Sequence, residues 1–535
     1  MKTKLIKYLL FLMATPLYSQ TWPKMCLPNT IPNSVLSWYD KGYVIGGGVA
    51  TPNGLPKLGL LIKTDINGQI LWYKHVGQSN YRLNIKDITL TVSDGLVISG
   101  YTTLTDSWGD PFVMKLNACM ETEWCRIYSV GQGRFDCASS IKQVSGGYIV
   151  YVHFGGDLYS NEHIHLYRLD TNGDMVWQQS YGNSDSLMLG ADAEDMMITH
   201  DHNYLLTGYC YYPDSGTTGP RYLRPLLIKV DSSGEVEWEL PWRYVSGAHF
   251  YGMSERTIVD NNGMLYSCGR HIEDETTPPG DRPTMLKTDA DGNELLYRDL
   301  VPNSWQANFF NINWLQDSTI MIDGGWIMSY GGQGQIGVFK TDRNGNILDS
   351  VTVMQTNYCF SDAIVDQDNK LFLVQGIHNG AMWNSYSWKL NSDLEFDTLY
   401  TQPFVYDSLC PYPIPSDTIP FDCVIVGVDE PLHNPATGKL KVFPNPASEI
   451  LHIELPVQLK SQTATPVFNL TTVYHQWRSA QVEIYDLFGR RMYASEVRQS
   501  EKRLDVDVSA WPRGLYVVRL VYLNKTVATA VVVVG

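Results

Sequence analysis

The chain has 535 residues, 56 of them acidic and 40 basic, and a formal charge of -16. So acidic a balance argues against nucleic acid and anionic membranes as partners. No stretch reaches the roughly 18 consecutive apolar residues of a membrane-spanning helix.

The N-terminus places Lys2, Lys4 and Lys7 before an apolar run from Tyr8 to Leu17 and then Ser19-Gln20. That pattern predicts a secretory signal over residues 1–19, cut after Ser19, and an exported chain.

From there a hairpin phrase recurs seven times, about every 55 residues: Lys63-Thr-Asp-Ile-Asn-Gly68, Lys115-Leu-Asn-Ala-Cys-Met120, Arg168-Leu-Asp-Thr-Asn-Gly173, Lys229-Val-Asp-Ser-Ser-Gly234, Lys287-Thr-Asp-Ala-Asp-Gly292, Lys340-Thr-Asp-Arg-Asn-Gly345 and Lys389-Leu-Asn-Ser-Asp-Leu394. A fixed period of this size means one supersecondary unit copied and stacked. Asn-Gly at the turn predicts a two-residue type I′ hairpin with both residues at positive φ. Upstream of each phrase lies a short apolar run such as Gly42-Tyr-Val-Ile-Gly-Gly47 or Lys370-Leu-Phe-Leu-Val-Gln-Gly376, which reads as a strand buried on both faces. A further short strand precedes each run, so each unit is expected to hold four antiparallel strands. Seven such units over residues 21–405 predict a seven-bladed β-propeller.

Trp72, Trp124, Trp177 and Trp238 occupy one station after the turn, where a large ring is placed to pack between neighbouring units. The basic residue opening each copy (Lys63, Lys115, Arg168, Lys229, Lys287, Lys340, Lys389) is read as a partner in an inter-blade ion pair, with the Asp two residues on or a neighbour's acid, rather than as a ring of ligand-binding cations. The Asp-rich turns at Asp170 and Asp289 lack the bidentate Glu of a calcium loop and read as hairpin turns. His163 and His165 share one face of a strand without a visible third ligand, and read as a solvent-facing edge. No metal site and no cofactor is expected, and no catalytic motif of fixed spacing occurs.

Nine cysteines in an exported chain imply disulfides and, the count being odd, at least one thiol left over. Local sequence suggests Cys119 with Cys125, which flank the second copy's turn, and Cys410 with Cys423, which would close a Pro-rich linker over residues 406–440.

In a propeller the variable loops on one face are the usual place for a binding site. Their polar and aromatic residues Trp108, Tyr211, Tyr212, His271, Trp326, Tyr330, His378 and Trp383 are the candidate ligand contacts, suited to a sugar or a protein partner. The favoured reading is a non-catalytic propeller that binds a glycan or protein. The alternative is a secreted polysaccharide-degrading enzyme, a lyase or glycosidase, with its site at the mouth of the central channel. A cluster of acids, His and Arg with perturbed pKa values beside the channel would favour the enzyme.

After Cys423 the texture changes. Residues 441–535 read as alternating strands of a small, immunoglobulin-like β-sandwich. Four motifs occur there in order: Phe443-Pro-Asn-Pro-Ala-Ser448, Ile484-Tyr-Asp-Leu-Phe-Gly-Arg490, Val508-Ser-Ala-Trp-Pro-Arg-Gly-Leu-Tyr516 and a last apolar strand. They closely resemble the C-terminal sorting domain of cargo for the type IX secretion system of Bacteroidetes. The resemblance implies Pro444, Asn445, Pro446, Tyr485, Asp486, Gly489, Arg490, Gly514 and Tyr516 as the sorting signal. It also implies the secretion machinery as partner and release or display at the outer-membrane surface. Residues 456–480 are an insertion relative to that pattern, and the last strand lacks the Lys that commonly precedes its closing residues.

Overall fold

The apolar runs of the repeat are the second strands of seven four-stranded antiparallel sheets. In this computed structural model the described residues are 22–427 and 441–535, apart from 52–54, 106–107, 130–134, 156–162, 183–187, 189, 214–220, 242–250, 274–279, 330–331, 357–358, 367, 379–381, 455–479, 487–489, 498–502 and 523–524. The inner strands are Thr30–Ser37, Leu83–Leu90, Asp136–Val144, Gly190–Ile198, Tyr251–Val259, Gln306–Trp314 and Cys359–Val365. Each packs on the next and the seventh packs on the first, so the sheets close into a ring of seven blades. The core lies between adjacent sheets: Val44 and Leu61 of blade 1, for example, are buried with Ile85, Ile98 and Phe112 of blade 2.

The seventh blade departs from the expectation of four strands in sequence. Its outer strand is Lys24–Pro28 from the start of the chain, which pairs with Trp383–Leu390. The ring is thus latched by joining the two ends of the repeat region. Tyr43 of blade 1 stacks on Phe372 of blade 7 at 3.7 Å and donates its hydroxyl to Asp366 at 2.6 Å.

The hairpin turns are also tighter in their chemistry than a type I′ turn. Asp65 Oδ1 accepts the backbone N–H of Asn67 and of Gln69, at 2.9 and 2.7 Å. The same double bond recurs in every copy, at Asn117, Asp170, Asp231, Asp289, Asp342 and Asn391. That side chain holds the turn so that only its last residue goes left-handed, Gly68 at φ 74°, which makes a three-residue loop with a glycine bulge. Met120 and Leu394 take the same conformation where glycine is missing, at φ 64° and 59°.

With that carboxylate engaged, the basic residue two positions earlier pairs elsewhere. Lys63, Lys229, Lys340 and Lys389 reach Asp40, Asp201, Asp317 and Asp366, at 2.5, 2.7, 3.2 and 3.0 Å, all in the first turn of their own blade. Lys115 pairs with Glu123 of its own hairpin at 2.8 Å. These five repeat cations therefore pair within their blades and not between them. The tryptophan station does join blades: Trp124 Nε1 donates to the Thr171 carbonyl and Trp238 Nε1 to that of Ala290, at 2.9 and 3.2 Å.

After Leu390 the chain returns across the outer edges of two blades. Asp417–Ile419 pairs in parallel with Lys74–Val76 of blade 1, and Val424–Gly427 with Arg126–Ser129 of blade 2. This strap corrects the local disulfide pairing. Cys119 joins Cys410 and Cys125 joins Cys423, with Cα separations of 5.5 and 4.5 Å. The reason is the parallel course of the strap, which brings each of its cysteines to a different cysteine of the blade 2 hairpin. Cys26, Cys137 and Cys268 are buried thiols outside these disulfides, and Cys210 is buried as well.

The chain divides into two compact units, residues 1–429 and 430–535. In the second, a sheet ordered Lys441–Phe443, Ile450–Glu454, Arg503–Asp507 and a sheet ordered Arg491–Glu496, Ala480–Asp486, Gly514–Tyr522, Lys525–Val534 bury Leu451, Ile453, Ile484, Val518 and Val532 between them. No described helix is long and apolar enough to cross a membrane.

Candidate functional site

Six of the seven inner strands carry a β-bulge at the same station. The pairing slips between Pro32 and Ser34, Ile85 and Asp87, Ala138 and Ser140, Ala193 and Asp195, Ser254 and Arg256, and Phe309 and Asn311. A bulge adds one unpaired residue and re-aims its side chain. The extra residues Asn33, Lys86, Ser139, Glu194 and Glu255 line one cavity of about 410 Å³ at the channel.

The residues just after the bulges form its floor. Lys142 Nζ lies 2.8 Å from Asp87 and 3.9 Å from Asp195, while Arg256 reaches Asp195 at 3.1 Å, Asp362 at 2.5 Å and the Asn311 amide oxygen at 2.6 Å. Ser34 donates to Asp87 at 3.0 Å, and Asp362 accepts the Val35 N–H at 2.6 Å. Burial opposes ionisation of Asp87, yet Lys142 and the Ile141 N–H hold its carboxyl below the usual range. Two cations shared among three carboxyls make a structural plug that ties blades 1, 2, 3, 4, 5, 6 and 7 at the axis.

Above the plug, Asp192, Glu194 and Glu255 converge from blades 4 and 5. Asp192 accepts from Tyr209 at 2.5 Å and from the Ala193 N–H at 2.7 Å, and it pairs with His153. Burial opposes its ionisation, but the imidazole and these donors keep it below the usual carboxylate range. For Glu194 burial, then repulsion from Glu255 and Asp192, outweighs Lys86 and Arg270 and pushes it well up. Burial pushes Glu255 up to about 7, with Asp192 adding to the rise and Arg270, Arg256 and Lys86 restraining it. Neighbouring carboxyls driven apart in this way suit proton transfer near neutral pH. Among the described residues no group of His, Cys, Asp and Glu is arranged to hold a metal ion.

One wall is aromatic. Tyr101 and Phe135 line the cavity and meet edge to face, with centroids 4.8 Å apart. The chain crosses both rings at Gly109, whose N-terminal neighbour Trp108 is 60% exposed.

The described residues among those expected from loop composition are not gathered in one place, and none of them lines the cavity. Trp108 directly precedes Gly109, the residue that meets the aromatic wall. Tyr211 packs edge to face on Tyr209, the donor to Asp192, at 5.6 Å. Tyr212 and Trp326 are buried in inter-blade cores, so neither presents a face to a ligand. His271 is 3.4 Å from Asp299, and His378 packs on Trp383 at 5.1 Å on blade 7. Tyr330 lies outside the described residues. His163 and His165 are buried rather than at a wet edge, His165 packing on Phe154 at 4.5 Å, because strand His163–Leu169 is an interior strand of its blade. Sequence reasoning missed Asp192, Glu194, Glu255, Lys86 and His153. The available signal was a charged or hydroxyl residue shortly before each second strand, as Asp87 stands before Gly95 and Arg256 before Gly263.

In the second unit, Asn445 ties the last strand to the Pro-Asn-Pro turn, donating to the Val531 carbonyl at 3.1 Å and accepting the Val533 N–H at 2.9 Å. Pro444 and Pro446 both follow cis peptide bonds. Asp486 accepts from the Arg490 backbone and guanidinium at 2.9 and 3.1 Å, Tyr485 donates to Glu483 at 3.0 Å, and Tyr516 donates to the Pro512 carbonyl at 2.6 Å. Gly514 opens strand Gly514–Tyr522, and Gly489 lies outside the described residues.

No curated protein matches the chain. Among solved structures, polysaccharide lyase Uly1 is 10% identical with a TM-score of 0.44, over 68% of this chain and 90% of that one. The α-L-arabinofuranosidase Arb93A from Fusarium graminearum is 10% identical at 0.40, over 70% and 99%. The endo-arabinase from Bacteroides thetaiotaomicron is 14% identical at 0.28, over 48% and 92%. Residues 441–534 match the secretion system C-terminal sorting domain family. The chain therefore carries a member of that family behind its propeller, and it is cargo of the type IX secretion system, exported to the cell surface or beyond.

Proposed function

We propose that the channel mouth is a glycan-cleaving acid–base site. The observation that carries this reading is the pair Glu194 and Glu255, held protonated to higher pH than ordinary carboxyls beside an ionised Asp192. Glycosidic hydrolysis needs one carboxylic acid to protonate the leaving oxygen and one carboxylate to activate water or attack the sugar carbon. Burial raises both Glu194 and Glu255 and the charge of one opposes ionisation of the other, so they release their protons in turn and one can serve as acid while the other is base. Asp192, fixed by Tyr209, His153 and the Ala193 N–H, supplies a standing negative charge against the positive charge that develops on the sugar. The site lies on rigid bulged strands rather than on loops, as pre-organised catalysis requires.

The test uses the full chain on a panel of neutral and uronic polysaccharides, scoring new reducing ends and unsaturated products separately. Hydrolysis that Glu255→Gln reduces about a hundredfold supports the reading. Tight binding with no product from any polymer would make the mouth a recognition site and refute catalysis. Unsaturated products would mean elimination instead.

A further inference from the structure

The cavity has two unlike walls, and together they specify a ligand more narrowly than an acidic cleft would. On one side Asp192, Glu194 and Glu255 crowd together, with Lys86 and Arg270 as the cations that act on the two glutamates. On the other, the Tyr101 and Phe135 rings face the cavity, Phe135 keeping 38% of its surface exposed. Phe135 also lies 6.3 Å from the His153 ring, so the aromatic wall runs up to the acidic one. The loop bearing Trp108 is fixed to this wall: the Asp136 N–H donates to the Gly109 carbonyl at 2.9 Å, and a Cβ on Gly109 would stand 3.3 and 3.4 Å from the Tyr101 and Phe135 rings.

We infer that Phe135 and Tyr101, with the exposed Trp108 at the rim beyond the cavity lining, form a stacking subsite for one uncharged sugar ring, which delivers the adjoining linkage of a neutral oligosaccharide to the carboxyls. Exposed flat rings beside polar groups match the apolar face and hydroxyl edge of a pyranose or furanose. The charge of the other wall selects against a uronic polymer. A sugar carboxylate placed there would stand beside the ionised Asp192 and beside whichever glutamate has released its proton to act as base, on a chain of formal charge -16. The inference rests on the glycan reading above and narrows it to neutral substrates, while standing apart from whether the bond is cut.

Calorimetric titration of the full chain carrying Glu255→Gln separates the two ideas, because it reads binding without turnover. The probes are cellohexaose, xylohexaose, arabinohexaose and an oligogalacturonate of equal length. At least one neutral hexamer is expected to bind and the galacturonate to bind at least tenfold more weakly. Trp108→Ala and Phe135→Ala should each weaken the neutral ligand about tenfold, with Trp108→Phe restoring most of the loss. Tighter binding of the galacturonate, indifference to both alanine substitutions, or no binding of any probe would overturn the subsite. Neutral binding that follows the aromatic residues, with no fragments from the unsubstituted chain, would refute hydrolysis and leave the subsite standing.

Discussion

Trp124 of blade 2 lies flat against Gly173, the left-handed turn residue of blade 3. A Cβ at Gly173 would stand 2.6 Å from the indole, and the residue has φ 79°. The relation repeats around the ring, with Trp177 over Gly234 and Trp238 over Gly292, while Trp22 from the chain start covers Gly68. At these four turns an aromatic clamps the next blade's turn, whereas Gly345 meets Arg298 and Met285 instead, and glycine at the clamped turns meets both a steric and a conformational demand. Gly173→Ala should destabilise the propeller by about 2 kcal/mol or more in denaturant unfolding. Gly427→Ala, where nothing lies within 4 Å, should stay within about 0.5 kcal/mol. Equal effects at the two positions would show that the clamp is energetically idle.

The basic residues of the repeat are chemically alike but not energetically alike. Lys63 and Asp40 are both buried, with side chains 0% and 2% exposed, whereas the partner of Lys229, Asp201, is 49% exposed. Removing one member of a buried pair strands the other charge in a dry site. Lys63→Met should therefore cost about 3–5 kcal/mol, and Lys229→Met less than about 1 kcal/mol. Similar losses at both sites would mean that burial does not set the strength of these pairs.

The two disulfides are expected to be non-additive. Each joins residues far apart in sequence, 291 and 298 positions, yet once either is closed the other adds only a small ring between the hairpin and the strap. By chain entropy the second closure is worth about 3 kcal/mol, and the first more, because its loop is long. Cys119→Ser with Cys410→Ser should cost that smaller amount, and removal of all four cysteines more than twice as much. Strict additivity in guanidinium midpoints would contradict this picture.

The architecture was legible because it is periodic. Seven hairpin phrases and seven apolar runs announce seven sheets, and the four ordered motifs after residue 441 announce the sorting domain. What was not legible depended on chain closure and on bulges. Lys24–Pro28 carries no repeat signature, since it replaces the missing outer strand of blade 7 from the opposite end of the chain. Cys410 and Cys423 looked like neighbours closing a loop, and only the parallel strap shows that each has its partner on blade 2. The acidic mouth was hidden for a different reason. Glu194 and Glu255 sit within strands whose alternation is broken by one extra residue, so period-two reasoning assigns their faces wrongly. Aromatic loop residues such as Tyr212 and Trp326 drew attention instead, although their burial makes them part of the cores.

The carboxyl pair should leave a signature in pH dependence. Burial raises both Glu194 and Glu255, Glu255 to about 7, and the groups facing them are Asp192, Arg270, Arg256 and Lys86. A carboxyl whose folded pKa is raised keeps a proton that the unfolded chain has already released. Between the ordinary glutamate range and about pH 7 the folded state therefore binds more protons, and stability falls as pH rises through that window. Glu255→Gln removes one titrating group and part of what raises Glu194, burial being the larger part, so it should flatten only part of the slope, and adding Glu194→Gln should remove the rest. Unfolding free energies measured from pH 5 to 8 on the three proteins check the linkage without any substrate. A slope unchanged by both substitutions would mean that the glutamates titrate normally, and the acid–base assignment would fail with them.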